Sequence, residues 1–302
     1  ITEREINLAA SIQAVTEEIV IKMATFAREE TGKKNLCLSG GVALNCVANG
    51  KLQTKKIFEN IWIQPASGDA GGALGTALFL NYQLLNRERK VNEQDAMFGS
   101  FLGPSFSNAE ISSFIQDKDA CSVFYESEDE LLSFVTQAID EEKIIGWFQG
   151  RMEFGPRALG GRSIIGDARS EKTQSQMNLS IKFRESFRPF APSVLEEKSK
   201  EYFNLDCSSP YMLIVAPVQQ SIRLFPTKED KLTMQDSNLL KRVSVKRSSL
   251  PAITHVDFSA RVQSVSESRN RRYYRLIKKF EEKTKTGVIV NTSFNVRGEP
   301  IV

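Results

Sequence analysis

Residues 35–53 read NLCLSGGVALNCVANGKLQ and residues 61–85 read IWIQPASGDAGGALGTALFLNYQLL. Each begins with a short apolar run of strand length, passes through glycines and small polar residues, and continues as a helical run. We expect a strand over Asn35–Ser39, a tight turn at Gly40–Gly41 and a helix from Val42 to about Gln53. A second strand is expected over Ile61–Pro65, followed by the loop SGDAGG and a small-residue helix from Ala73 to about Leu85. Two strand–turn–helix units in succession predict an α/β fold with parallel strands and ligand loops at their carboxyl ends.

Outward from this segment, residues 4 to 31 carry Ile6, Ala9, Ile12, Val15, Ile19, Met23 and Phe26 at helical spacing, and Gly32 sits where a helix would end. On the other side, Asn86–Asp95 is polar and reads as a linker, so domains over 1–95 and 96–302 are expected. The second unit holds a helix around Ser127–Glu141, which leads into a buried strand at Lys143–Phe148. Residues 204–210 and 222–250 read as irregular loops. A helix over Arg271–Lys285 stops at Gly287, and a β-rich run, Val288–Asn291, precedes a polar loop.

The 302 residues suffice for two domains. Lys and Arg number 40 against 37 Asp and Glu, a formal net charge of +3, which gives no argument for nucleic acid or a membrane surface. No apolar run approaches the ~18 residues of a membrane span. The chain opens on Ile1 without a basic-then-apolar leader and closes on Val302 inside an apolar run, so an excised piece, lacking sequence at both ends, is expected. Cysteines 37, 46, 121 and 207 have no CxxC spacing and fit reduced, mostly buried thiols of a cytoplasmic protein. A single histidine, His255, argues against a His/Cys zinc site and a His-rich relay.

The chemistry concentrates in RMEFGPRALGGRSIIGDAR, residues 151–169, and IKFRESFRP, residues 181–189. Arginine's planar fork matches phosphate and carboxylate oxygens in pairs, and glycine lets the backbone approach a ligand. Arg151, Arg157, Arg162, Lys182, Arg184 and Arg188 are therefore candidates for holding a multiply charged small anion. Solvated surface arginines are the alternative.

Four further clusters follow β-rich runs. Ser39–Ala43 joins a strand to a helix, where amides favour an anion, although such a turn is as often structural. Asp69 in SGDAGG reads equally as a metal ligand or a helix N-cap. His255 and Asp257, two apart, would face one side of a strand. Asn291, Thr292, Ser293, Asn295 and Arg297 suit hydrogen bonding to a nucleotide or a carbonyl, or ordinary turn chemistry.

With LSGGVALN, QPASGDAGGALGTAL, GRMEFGPRALGGRSI, IKFRESFRPFAPSV, ITHVDFSARVQSV and VNTSFNVRGEPIV in that order, the chain resembles the O-carbamoyltransferases of antibiotic and nodulation-factor biosynthesis, the NodU/CmcH family. The resemblance implies part of an actin-like ATPase-fold domain over 1–95 and a YrdC-like domain over 96–302, the latter short of its end. It also implies that carbamoyl phosphate and ATP give a carbamoyl-adenylate, whose carbamoyl group passes to a hydroxyl of a small-molecule or sugar acceptor. On this likeness the cations named above, with Asn291, bind carbamoyl phosphate and ATP, while His255 and Asn295 place the carbamoyl group. Gly40, Gly41 and Asn45 match nucleotide-lining positions of the first domain, and Asp69 matches the ligand of a divalent metal, Fe2+ or Mg2+. The metal-binding histidines of the family lie in the absent first half, so binding without acceptor carbamoylation is expected of this chain.

Two rivals are kept. An actin-like ATP-dependent kinase would release ADP rather than pyrophosphate, and has no use for a second anion cleft. An RNA-binding module would use Lys241, Arg242, Lys246, Arg247, Arg269, Arg271, Arg272 and Arg275, which read more simply as solvated charge.

Overall fold

A computed structural model describes residues 2–91, 95–185, 188–236 and 238–302. Contacts divide the chain into two compact units, Ile1–Val91 with Leu213–Val215, and Asn92–Met212 with Ala216–Val302.

The first unit opens with helix α1, Glu3–Thr31, started by a capping box of Thr2 and Glu5 and ended by Gly32 at φ 62°. Strand β1, Asn35–Leu38, pairs in parallel with β2, Asn60–Ile63, across the helix α2, Cys46–Lys55. Helix α3, Ala70–Phe79, runs on into a wide π turn at Leu80–Leu84. The strand–turn–helix order is as expected, with shifted helix starts. Gly41–Leu44 forms a 3-10 turn, and α2 begins only where the Asn45 side chain accepts from Ala48 N at 3.1 Å. Ala24, Leu52 and Phe58 form the core, with Val20, Leu36, Leu38, Ile57 and Ile61 packed on it.

The apolar positions at helical spacing on α1 point outward, with Ile12 at 65% and Met23 at 66% exposure. The core takes Val20 and Ala24 instead, because two short strands offer too little surface to cover both sides of a 29-residue helix.

The second unit is a mixed α/β layer. Helices α4, Asn108–Asp117, and α5, Glu128–Asp140, precede β3, Ile145–Phe148, and β4, Arg162–Asp167. After the short helix α6, Thr173–Gln176, come β5, Ala191–Leu195, α7, Ser199–Tyr202, and β6, Ile214–Pro217. Short helices α8, Lys228–Thr233, and α9, Leu239–Ser244, interrupt the irregular stretch before β7, Ser259–Val265, α10, Arg271–Thr284, and β8, Val288–Ser293. The six strands stand in the order β3-β4-β8-β5-β7-β6, with β5 and β7 parallel and the β3–β4, β4–β8 and β5–β8 pairs antiparallel.

Helices α5 and α10 bring Leu132, Val135, Ile139, Leu276, Ile277 and Phe280 against Trp147, Ile165, Leu195, Val265 and Ile289. Each such side chain contributes about 1.5–3 kcal/mol on burial. Strand β3 was expected to be buried. It is the edge of the sheet, so Trp147 faces the core while Phe148 stays 43% exposed. The cysteines depart from expectation too. Cys46 is buried and Cys207 half-buried, but Cys37 and Cys121 are exposed.

Candidate functional site

Strand β8 ends at Ser293 and turns into the loop that carries Asn295, while a helical turn over Met177–Ile181 delivers Lys182 to the same place. Lys182 is buried, and its Nζ donates to Ser293 O at 2.5 Å, Asn295 O at 2.8 Å and Asn295 Oδ1 at 2.9 Å. Ser293 Oγ donates to the same Asn295 Oδ1 at 2.7 Å. Burial and then the neighbouring Arg184 push the Lys182 ammonium down to about 8.

Arg184 donates from Nε to Asn178 Oδ1 at 2.6 Å and lies 4.9 Å from the centre of the Phe190 ring. Its acidity rises through burial and through Arg188. Arg188 is exposed and pairs with Glu185 at 2.9 Å. Arg297 donates to Phe183 O at 3.1 Å. The structure thus gathers Lys182, Arg184, Arg188 and Asn295, and adds Ser293 and Arg297, which the sequence showed only as polar neighbours. Crowded cations beside hydroxyl and amide groups have the chemistry to pair with an anion of several oxygens.

The arginine motif is a loop built from within. The Glu153 carboxylate, buried, accepts from Leu159 N at 2.7 Å, Gly161 N at 2.8 Å and Arg162 N at 3.1 Å. From behind, Asn291 Nδ2 donates to Ala158 O at 3.0 Å and to Gln263 Oε1 at 2.8 Å, and Gln263 donates to Leu159 O at 2.9 Å. Gly160 sits at φ +99°, and a Cβ there would lie 2.3 Å from the Tyr273 ring. Arg162 is 1% exposed, stacks 3.6 Å from the Phe148 ring centre, and spends its donors on the carbonyls of Gln149, Gly150, Gly161 and Pro104. Its fork therefore holds the loop together. Arg157 is half-buried one residue before the carbonyl that Asn291 grips. Arg151 is exposed, donates to Gly103 O at 3.1 Å, and lines a cavity to which the Lys182 cluster does not contribute. Glu153 escaped the sequence reading, because a carboxylate in an arginine-rich run looks like a counter-charge.

His255 lies on a turn, not the strand expected, and Phe258 takes φ 62° there. Its Nδ1 is 3.1 Å from Ser259 Oγ, which donates to Asp257 Oδ1 at 2.6 Å. Burial holds the imidazole below its ordinary value, Asp257 opposing and Arg261 assisting.

In the first unit Gly40, at φ +93°, and Gly41 are exposed with open space where a side chain would stand. Asn45 is committed to capping α2 and to an exchange with Gln13 at 2.9 and 3.1 Å. Asp69 is exposed and makes no side-chain cap bond. Among the described residues no three His, Cys, Asp or Glu side chains gather as a metal site, and no helix is long and apolar enough to cross a membrane.

Comparison with known proteins agrees with these motifs. A family model described as carbamoyltransferase N-terminus matches residues 1–78, and one described as carbamoyltransferase C-terminus matches residues 136–302. An uncharacterised protein of Synechocystis is 56% identical over all of this chain and 49% of its own length. The nodulation protein NolNO of Sinorhizobium fredii is 40% identical over all of this chain and 41% of its own. The 3'-hydroxymethylcephem-O-carbamoyltransferase of Amycolatopsis lactamdurans is 30% identical over 99% of this chain and 49% of its own. The chain spans about half the length of the curated relatives it matches. With both family models matched in order and the second covering more than half of the residues, the chain belongs to the carbamoyltransferase family, a family of enzymes.

Proposed function

We propose that this chain is the part of an O-carbamoyltransferase that activates the carbamoyl group. Carbamoyl phosphate, ATP and water give carbamoyl-adenylate, phosphate and pyrophosphate, and the carbamoyl group then passes to a hydroxyl of a small-molecule or sugar acceptor. In this reading residues 1–95 are part of an actin-like domain and residues 96–302 form a YrdC-like domain, in the cytoplasm. The observation that carries it is the buried Lys182 ammonium among Ser293, Asn295 and Arg184. Two anions must be held together against their repulsion, and a desolvated ammonium flanked by guanidinium groups offsets it. Lys182, Arg184, Arg188 and Arg157 hold the phosphates. Asn295 donates to the carbamoyl oxygen, and His255, neutral near pH 7, orients the group. Asn291 and Arg162 act through the loop they fix.

The resemblance implies a divalent metal, for which Asp69 alone is too few ligands. Asp69 stands exposed, and among the described residues no three acidic, thiol or imidazole groups gather as a metal site, so no step is routed through the metal. Titration calorimetry of carbamoyl phosphate tests the site. Lys182→Met is expected to weaken binding 10- to 100-fold, as a charge-assisted hydrogen bond of roughly 1.5–3 kcal/mol is lost, and Arg157→Ala is expected to weaken it as well. Unchanged affinity in both variants overturns the reading. Release of ADP instead of pyrophosphate by the full-length protein would favour kinase chemistry.

A further inference from the structure

The arginines of the RNA-binding rival do not form one surface. Arg247 is 4% exposed and spends its donors on the carbonyls of Arg242, Val245 and Val256. Lys241 pairs with Asp236 at 2.9 Å and Lys246 with Glu171 at 2.7 Å. What remains is compact. Arg269, Arg271, Arg272 and Arg275, at the start of α10, converge with Arg151 and Glu128 on a cavity of about 600 Å3. Lys182, Ser293 and Asn295 are not among its lining residues.

Charge inside this cavity is unbalanced, with five guanidinium groups against one carboxylate. Glu128 is shared between Arg272, at 2.8 Å, and Arg275, so it offsets one of the two. Arg269 is held by Asp95 at 3.4 Å and Glu196 at 3.2 Å; neither of these carboxylates lines the cavity. Arg271 keeps 76% of its side chain in solvent and meets Glu267 only at 3.6 Å. The floor is fixed, since Gln149 and Asn270, both lining residues, donate to Gly160 O at 2.7 and 3.3 Å. A volume in the small-ligand range, a fixed floor and several forks of donors suit a compact anion with several oxygens. An extended strand would need a stripe of cations.

We propose that this cavity is a second anion site, distinct from the Lys182 cluster, that takes a diphosphate group. The group comes either as inorganic pyrophosphate or on a nucleoside diphosphate. The half-buried ring of Phe101 in the wall gives a base something to pack on, so the two sources differ in affinity if the nucleoside is used.

Calorimetric titration of the 302-residue chain with pyrophosphate, and separately with ADP, tests this. Four variants are compared: Arg271→Gln with Arg272→Gln, Lys182→Met, these three changes together, and Phe101→Ala. Circular dichroism of each variant checks the fold. We expect pyrophosphate to bind the parent, to bind the double-arginine variant at least ten-fold more weakly, and to show the same ten-fold loss when the two arginine changes are added to Lys182→Met. Tighter binding of ADP, lost in Phe101→Ala, identifies the nucleotide as the source; equal binding identifies pyrophosphate. Absence of binding overturns the proposal. So does binding lost in Lys182→Met but kept in the folded double variant, or a single-stranded RNA that outcompetes pyrophosphate with a steep salt dependence. None of these outcomes depends on carbamoyl transfer, so this proposal and the assigned function fail separately.

Discussion

Three main-chain amides, those of Leu159, Gly161 and Arg162, end on the one carboxylate of Glu153. Removing it leaves buried donors without acceptors, at about 1–3 kcal/mol each. Glu153→Ala is expected to lose about 3 kcal/mol or more in urea unfolding, and Glu153→Gln less, because an amide oxygen remains. A loss below about 1 kcal/mol would mean that water replaces the carboxylate. Lys182 supplies the second prediction at this scale. Its folded value is about 8, down from 10.5. As pH rises through about 8 the folded chain loses the proton first. Between about 8 and 10.5 the unfolded chain binds more protons, so this group's contribution to stability rises with pH there. Anion binding moves the opposite way. Affinity for carbamoyl phosphate should be flat below about 8 and fall roughly ten-fold per pH unit above it, since each unit removes nine-tenths of the ammonium. Lys182→Arg should bind without that inflection, because guanidinium stays charged; the same inflection in both proteins would assign it elsewhere. The cations of the Lys182 cluster were legible from their residue types alone. That Arg162 is spent on the carbonyls of its own loop while Lys182 is held by Ser293 and Asn295 was not, because partners so distant in sequence are set by the sheet register.

Helix α10 was readable in nearly its full length, since Tyr273, Leu276, Ile277 and Phe280 recur at helical spacing and are all fully buried. Its cap carries more than the pattern tells. Asn270 Oδ1 accepts from Tyr273 N at 3.3 Å and Gln149 Nε2 at 3.2 Å, while its Nδ2 reaches Gly160 O. Asn270→Ala should therefore cost about 1–2 kcal/mol in thermal unfolding, the loss of a cap together with a tertiary hydrogen bond. Asn270→Asp keeps the cap and should recover about half. Equal losses in the two variants would show that the bond to Gly160, and not the cap, carries the effect. The turn around His255 was illegible for the reverse reason. THVDFSARV alternates like a strand, but Asp257 turns its carboxylate back on Ser259 N at 3.1 Å, and this local bond stops the strand at Ser259.

At the scale of the molecule, the order of the motifs made the family readable, whereas the packing of α1 was not. Periodicity says that a helix has an apolar face without saying what lies against it. Here Leu8, Ile12, Val15, Ile19, Met23 and Phe26 form a seam along α1 with exposures between 50% and 66%. A contiguous apolar stripe of this kind marks an interaction surface, and water is a poor solvent for it, at about 25 cal/mol per Å2. In the 302-residue chain the seam is free to meet its like on a second copy. Light scattering should show a mass that rises with protein concentration, and salt should strengthen the association, since apolar contacts are not screened. Ile12→Lys with Met23→Lys places two charges in the seam while leaving Val20 and Ala24 in the core. That variant should stay monomeric with an unchanged helical signal. A parent that is monomeric at every concentration would overturn the prediction, and association that persists in the variant would move it to another apolar surface, such as Leu78, Phe79 and Leu80 at the end of α3.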